Sequence, residues 1–161
     1  FEEKSGTVAI NEVGVRTEGA EEVTNGTFTG ITQAASTSGS EWSTGSKWTI
    51  SGGKAILEST DSGGSTLIQA DVFTVGRLYK ITFDAEVTAG SAKIEGSGGS
   101  SVLTINTTKT YEFYGVASVT SLIFNRISGT TSATISNISV KEYTTTDGFY
   151  VNAPAITTNI P

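Results

Sequence analysis

The residues that could perform acid–base chemistry in this chain are carboxylates, because the sequence contains neither His nor Cys. A hydrolase that works with two carboxylates needs them at a set separation inside a cleft. Neither a nucleophile elbow, a phosphate loop nor a metal-ligand spacing accompanies the acidic residues. The sequence therefore predicts no catalytic residues, no metal site and no cofactor. The acidic side chains instead fall where turns or solvated strand faces would hold them: Glu58, Asp61, Asp71, Asp84, Glu86, Glu95 and Glu112.

A second kind of chemistry is sugar recognition, which needs an exposed aromatic plane and groups that hydrogen-bond to hydroxyls. Trp42 is one aromatic candidate, because it lies in the polar segment 39–43 with no alternating pattern to bury it. Alternatively, Trp42 folds back and closes one end of the fold. Tyr114 is another candidate, because its parity along the strand differs from that of Tyr111 and Phe113, so its ring can face outward.

Asn125 and Arg126 are neighbours on a predicted strand and therefore point to opposite faces. Arg126 shares its face with the apolar Phe124, so one of the two polar residues must project towards solvent or a groove. Either could hydrogen-bond to a ligand. The alternative role for Arg126 is an ion pair with Glu112 or Asp84.

The elements that must position these residues are predicted to be strands. Only 16% of the residues are charged and 19 are Gly, while Thr, Val and Ile are plentiful, which favours strands and turns. The segment 78–87 shows the clearest alternation, with one face to be buried and one to be solvated. Its apolar face carries Tyr79, Ile81, Phe83, Ala85 and Val87.

Short strands separated by Gly-rich turns predict an antiparallel β-sandwich of the jelly-roll type. The segment 26–45 is expected to be a long loop with room for one short strand. In the last strand the apolar parity slips, which predicts a β-bulge near Ser136 and Asn137. The other expected strands span 48–50, 55–59, 66–73, 92–95, 102–105, 109–116, 122–127 and 133–143.

Charge and length restrict the partners and the domain organisation. The net charge is −6 and no run of Lys or Arg exceeds one residue, so neither nucleic acid nor an anionic membrane is an expected partner. The 161 residues suit one domain with extensions. We expect an extended arm or linker over 1–22, the sandwich over 23–143 and an extended tail over 144–161. The chain is expected to be a processed product or an excised fragment.

Four segments occur in an order that points to a family. They are Asn25-Gly26-Thr27-Phe28, then 48–55, 76–84 and 135–140. With them the chain resembles the jelly-roll carbohydrate-binding modules of the family 4/9 type and the looser galactose-binding-like sandwiches. The resemblance is greatest to versions embedded in bacteriophage structural proteins. It implies the same sandwich fold that the strand pattern predicts.

Two positions depart from the pattern of that family, whose members often hold a structural calcium ion between the opening loop and the last strand. Thr29 and Ser136 stand where the family has acidic residues. Calcium requires six to eight oxygen ligands and prefers carboxylates. With only Asn25, Asn137 and backbone carbonyls at those points, no calcium is expected.

The resemblance implies a non-enzymatic structural and adhesive domain of a virion or another extracellular appendage, such as a phage tail, fibre or capsid decoration. A host-surface glycan is its candidate ligand. Its expected partners are further copies of itself or neighbouring subunits, and a homotrimer is the usual arrangement in such fibres. The alternative is a carbohydrate-binding module from a secreted polysaccharide-degrading enzyme. A third hypothesis is a purely structural subunit without a ligand.

Overall fold

The computed structural model describes residues 16–39 and 41–145, so most of the arm expected over 1–22 and of the tail expected over 144–161 lies outside the described residues. Twelve strands and one short 3-10 turn at Ser97–Gly99 lie within the described part of the chain. The strands are β1 Arg16–Glu21, β2 Thr37–Ser38, β3 Ser43–Thr44, β4 Trp48–Ser51, β5 Lys54–Ser59, β6 Thr66–Gln69, β7 Leu78–Ala89, β8 Ala92–Glu95, β9 Ser101–Ile105, β10 Lys109–Val116, β11 Leu122–Arg126 and β12 Thr131–Thr145.

The strands form two sheets, and the predicted jelly-roll β-sandwich is confirmed. The first sheet has the order β10-β7-β12-β5-β4, and β1 pairs with β12. The second sheet has the order β2-β3-β6-β11-β8-β9. The pairs along both orders are antiparallel. Successive strands such as β5, β6 and β7 alternate between the sheets, which is why each sheet contains distant parts of the sequence.

The core lies between the inner faces of the two sheets. Along β7 the buried and half-buried residues alternate as the sequence predicted. Phe83 is 1% exposed and its ring stacks on Tyr111 of β10, with the ring centroids 5.1 Å apart. The same ring meets Phe124 of the second sheet edge-on at 5.3 Å. Phe83 therefore ties the two sheets together, and the predicted core position of Trp48, which is 0% exposed, is also confirmed.

Several strand predictions differ from the structure in extent, and β12 spans Thr131–Thr145 where 133–143 was expected. The strand β7 continues to Ala89, two residues beyond the expected end. The strand β6 ends at Gln69, because Asp71 takes a positive φ of 56° that breaks the extended backbone. The segment 26–45 contains two strands of two residues each, where one was expected.

The predicted bulge in β12 is confirmed. The pairing of β12 with β7 shifts register between Ser136 and Ser139. Asn137 lies in this bulge and adopts a left-handed conformation with φ 52°. Asn tolerates this region better than a β-branched residue would. The bulge returns Ile138 and Val140 to the core, where they are 5% and 0% exposed.

The opening loop is joined directly to this bulge. The Ile138 N–H donates to the Gly26 carbonyl at 3.0 Å. A side chain at position 26 would collide with the Ile138 carbonyl, so the close approach requires glycine. Phe28 then enters the core with no exposed surface and packs on Trp42 at 5.1 Å. The first and the last of the four family-like segments thus meet in space.

The chain divides into two compact units. One unit is Ala20–Glu142 and contains the sandwich described above. The other combines Phe1–Gly19 with Tyr143–Pro161, and its described residues are the first four of β1 and the last three of β12. All the site geometry below belongs to the unit Ala20–Glu142.

Candidate glycan-binding surfaces

Trp42 lies in the core, with 1% of its surface exposed. Its indole N–H donates to the Asn25 carbonyl at 3.2 Å, and its ring tilts against Phe28. The placement matches the alternative in which Trp42 folds back to close one end of the fold. In this conformation the indole offers no exposed plane to a ligand.

Arg126 is also buried, with 2% of its surface exposed. Its two terminal nitrogens donate to the backbone carbonyls of Asp61 and Gly63, and Nη1 lies 3.6 Å from the Asp61 carboxylate. The suggested ion pairs with Glu112 or Asp84 are therefore wrong. Within the described residues, Arg126 Nε is buried without a hydrogen-bond partner. The guanidinium holds the loop between β5 and β6 against the end of β11.

Asn125 lies on the outer face of the second sheet, opposite to Arg126. Its amide nitrogen donates to Glu95 Oε2 at 2.6 Å, and its amide oxygen accepts the Ser65 N–H at 3.2 Å. Asn125 pairs in register with Lys93 of β8. No sequence pattern links Lys93 and Glu95 to Asn125, because the register between β8 and β11 cannot be inferred from the two strand sequences alone. The alternation of small or apolar and charged residues in Ala92–Glu95 is a signal that Lys93 and Glu95 share one face of β8.

Tyr114 lies on the outer face of the first sheet, and 44% of its surface is exposed. Every other aromatic side chain among the described residues is buried or half-buried. Its hydroxyl donates to Glu112 Oε1 at 3.0 Å. In register, Tyr114 pairs with Lys80, which in turn pairs with Lys141 of β12. We call this outer surface of β10, β7 and β12 the Tyr114 face.

Asp84 of the Tyr114 face accepts hydrogen bonds from two side chains. Asn137 Nδ2 donates to its Oδ2 at 2.7 Å and Thr110 Oγ1 donates to its Oδ1 at 2.6 Å. These two hydrogen bonds, that of Asn137 first, lower the pKa of Asp84 below its ordinary value of 3.8. The bulge in β12 is what brings Asn137 to Asp84. Strands β10, β7 and β12 therefore present a tyrosine ring and a row of fixed hydrogen-bonding groups.

The candidate residues thus occupy three separate places. Trp42 and Arg126 lie in the interior, Tyr114 on one sheet and Asn125 on the other. The sequence pattern allowed an outward direction for Tyr114 and left open whether Asn125 or Arg126 faces outward. It could not show that Tyr114 and Asn125 lie on opposite sides of the sandwich.

A network of hydrogen bonds around Asn25 organises the opening loop. Asn25 Oδ1 accepts the Thr29 N–H at 2.8 Å, which fixes the orientation of the amide. Asn25 Nδ2 then donates to the Thr29 carbonyl and to Glu41 Oε2, both at 3.0 Å. In the part of the chain that the structure describes, no group of three or more acidic, His or Cys residues could hold a metal ion.

Among the described residues, no helix has the length and apolar character needed to cross a bilayer.

Comparison with known proteins finds likenesses in solved structures. No protein-family model and no curated protein matches the sequence. An arabinose-bound α-L-arabinofuranosidase (MgGH51) matches with a TM-score of 0.50 and 14% identity, over 76% of this chain and 26% of the enzyme. A CBM4 protein matches with a TM-score of 0.43 and 15% identity, over 74% of this chain and 99% of that protein. A carbohydrate-binding module of family 29 matches with a TM-score of 0.46 and 17% identity, over 80% of this chain and 88% of that module.

At these identities the likeness to the arabinofuranosidase shows the fold alone. The chain spans about a quarter of that enzyme's length, at 26%. Because one sandwich fold can carry many functions, the function must be argued from the surfaces of this chain.

Proposed function

We propose that the chain is a non-catalytic adhesive domain that binds a glycan through the Tyr114 face. The observation that supports this most directly is the exposed ring of Tyr114, with Glu112 hydrogen-bonded to its hydroxyl. The apolar face of a pyranose can stack on such a ring, while carboxylate, hydroxyl and amide groups beside it bind the sugar hydroxyls. Because strands hold these groups, they are fixed before the ligand arrives, which reduces the entropic cost of binding.

The setting that we propose is a virion or another extracellular appendage, where the domain is displayed as part of a homo-oligomer. Support comes from the resemblance of the four ordered segments to modules embedded in phage structural proteins. A secreted polysaccharide-degrading enzyme is the alternative setting, and the arabinofuranosidase shows that an enzyme can include this fold. Neighbouring capsid or tail genes would favour the first setting. A linker into a hydrolase domain would favour the second.

Glycan-array binding of the parent and of Tyr114→Ala tests the proposed function. We expect the variant to lose at least about tenfold in affinity, because stacking and aromatic burial at a contact contribute about 1–3 kcal/mol. Ile127→Ala is the matched control, because Ile127 is 41% exposed but follows a strand of the other sheet. Unchanged binding by Tyr114→Ala would contradict the Tyr114 face as the site. No binding by the folded parent would leave the purely structural role.

A further inference from the structure

An ion pair lies on the outer face of the second sheet, in a position with little exposure to solvent. Lys93 Nζ is 3.4 Å from Glu95 Oε2, and each side chain is only 17% exposed. Charged residues on an outer strand face are ordinarily well solvated. Removing both charges from water costs free energy unless other polar groups complete their hydrogen bonds. The pair is therefore largely covered by neighbouring groups and depends on them to complete its hydrogen bonds.

Those neighbours fix the positions of the charged groups. Lys93 Nζ donates to the Gly99 carbonyl at 2.5 Å, and Asn125 Nδ2 donates to Glu95 Oε2 at 2.6 Å. The Asn125 amide cannot be reversed without loss, because its oxygen accepts the Ser65 N–H. The three side chains are thus held in one arrangement by the strands β8 and β11 and the loops on either side.

Part of the hydrogen-bonding capacity of these groups is not used by the described residues. Glu95 Oε2 accepts from Asn125 and faces Lys93, whereas Glu95 Oε1 accepts nothing among them. One hydrogen on the Asn125 amide also remains for a further acceptor, because Nδ2 makes a single hydrogen bond. An acceptor and a donor that converge at one place suit a group that both donates and accepts, such as a hydroxyl.

The opposite charges of Lys93 and Glu95 disfavour the binding of ionic ligands. A bound anion would approach Glu95, and a bound cation would approach Lys93, so each would meet a like charge. The fixed pair is neutral as a whole. A neutral polyol can place hydroxyls against both groups without such repulsion.

An apolar surface adjoins the polar groups. Ile68 and Ile123 pair in register on the same outer face of the second sheet, and both side chains are partly exposed. Ile123 is two residues from Asn125 along β11 and therefore lies on the same side. Aliphatic side chains can cover the C–H face of a sugar ring while the polar groups bind its hydroxyls.

We propose that Lys93, Glu95 and Asn125, with Ile68 and Ile123, form a second glycan site, the Asn125 recess, which takes a neutral pyranose through neighbouring hydroxyls. This inference extends the proposed function to the other sheet and rests on it for the class of ligand. Glu95 Oε1 accepts a hydrogen bond from one hydroxyl, and the Asn125 amide donates a hydrogen bond to the oxygen of the adjacent hydroxyl. A chain with one site on each sheet can crosslink two glycan strands, which raises avidity on a dense surface.

Calorimetric titration with cellohexaose, xylohexaose and mannohexaose tests the inference. Four proteins are compared: the parent, Tyr114→Ala, Glu95→Gln and the variant that carries both substitutions. We expect two sites in the parent for the saccharide that binds. Glu95→Gln should weaken one of them at least about tenfold, because a hydrogen bond to a charged group contributes about 1.5–3 kcal/mol. Lys93→Met is a second variant with the same expected effect, in case Glu95→Gln unfolds. Thermal melting checks the fold of each protein.

The outcomes separate the two proposals. One site that is lost in Tyr114→Ala and unchanged in both Glu95→Gln and Lys93→Met overturns the Asn125 recess alone. One site that is lost in Glu95→Gln and unchanged in Tyr114→Ala overturns the Tyr114 face alone. The absence of binding to all three saccharides overturns both. A strong salt dependence of binding at the recess would also contradict it, because the proposed ligand is neutral.

Discussion

Arg126 carries a full charge into the interior of the sandwich, and backbone carbonyls of the loop before β6 accept its hydrogen bonds. An isolated buried charge is costly, so such groups persist where hydrogen bonds complete them. At the residue scale, Arg126 is thus a structural clamp in this conformation. Its side chain reaches the loop that also provides Ser65, whose N–H orients the Asn125 amide.

Arg126→Met should therefore lower the free energy of unfolding by about 1–3 kcal/mol, because the carbonyls of Asp61 and Gly63 lose their donors. Urea denaturation measures this change. Arg77→Met is the control, because Arg77 forms an exposed pair with Glu142, and such pairs contribute at most about 1 kcal/mol. Equal stability of the Arg126 variant and the parent would show that the clamp contributes nothing.

Asp84 gives the fold a dependence on pH whose sign is fixed by its hydrogen bonds. Its folded-state pKa lies below the ordinary value of 3.8, so the folded chain favours the carboxylate. This contribution to stability is present above the unfolded pKa and is lost as the pH falls through the folded one. We expect the free energy of unfolding to decrease in acid below about pH 4.

Thr110→Val removes one of the two donors to Asp84 and should make that decrease shallower. Denaturation at a series of acidic pH values measures the slope. Thr104→Val on β9 is a matched exposed control that should keep the slope of the parent. The same slope in Thr110→Val and in the parent would rule out this hydrogen bond as its source.

At the residue scale, strand parity indicated the direction of a side chain better than it indicated the neighbours of that side chain. Parity gave the inward position of Phe83 and allowed the outward position of Tyr114, but it left open whether Asn125 or Arg126 faces outward. Parity also put Arg126 with Phe124, but nothing local indicated that backbone carbonyls would accept its hydrogen bonds. Trp42 lies in a loop, where no alternation exists, so only the tertiary fold determines its burial.

At the element scale, the opening loop and the bulge of β12 are joined by direct contacts. Gly26 and Ile138 share a backbone hydrogen bond, and Asn137 in the same bulge binds Asp84 on the outer face. The contact between the opening loop and the bulge therefore connects the core to the Tyr114 face. The slip of apolar parity predicted the bulge from sequence, whereas its contact with a loop more than a hundred residues earlier could not be inferred from spacing.

Gly26→Ala should destabilise the fold by about 1–3 kcal/mol or more, because the added methyl group meets a backbone carbonyl that cannot move aside. Gly63→Ala is the control, because a Cβ there makes only ordinary contact with Asp61 at 3.5 Å. Thermal unfolding of both variants provides the comparison. Equal melting temperatures would contradict the close approach of loop and bulge.

At the scale of the whole molecule, alternating strands predicted the sandwich, and the Phe83 contacts with both sheets confirm how it closes. What the sequence could not provide is the order of strands within each sheet. That order places Tyr114 and Asn125 on opposite outer faces, so a single site that contains both is not possible without rearrangement. Each sheet must therefore bind a glycan, if it does so, as a separate surface.

The central claim is that folded sheets bind a glycan and leave it intact. Titration of the 15N-labelled protein with cellohexaose, xylohexaose and mannohexaose, followed by amide chemical shifts, tests it most directly. We expect at least one saccharide to shift amides of β10 and β7 around Tyr114, with no release of shorter products. Unchanged amide spectra with all three saccharides, or the appearance of new reducing ends, would contradict the claim.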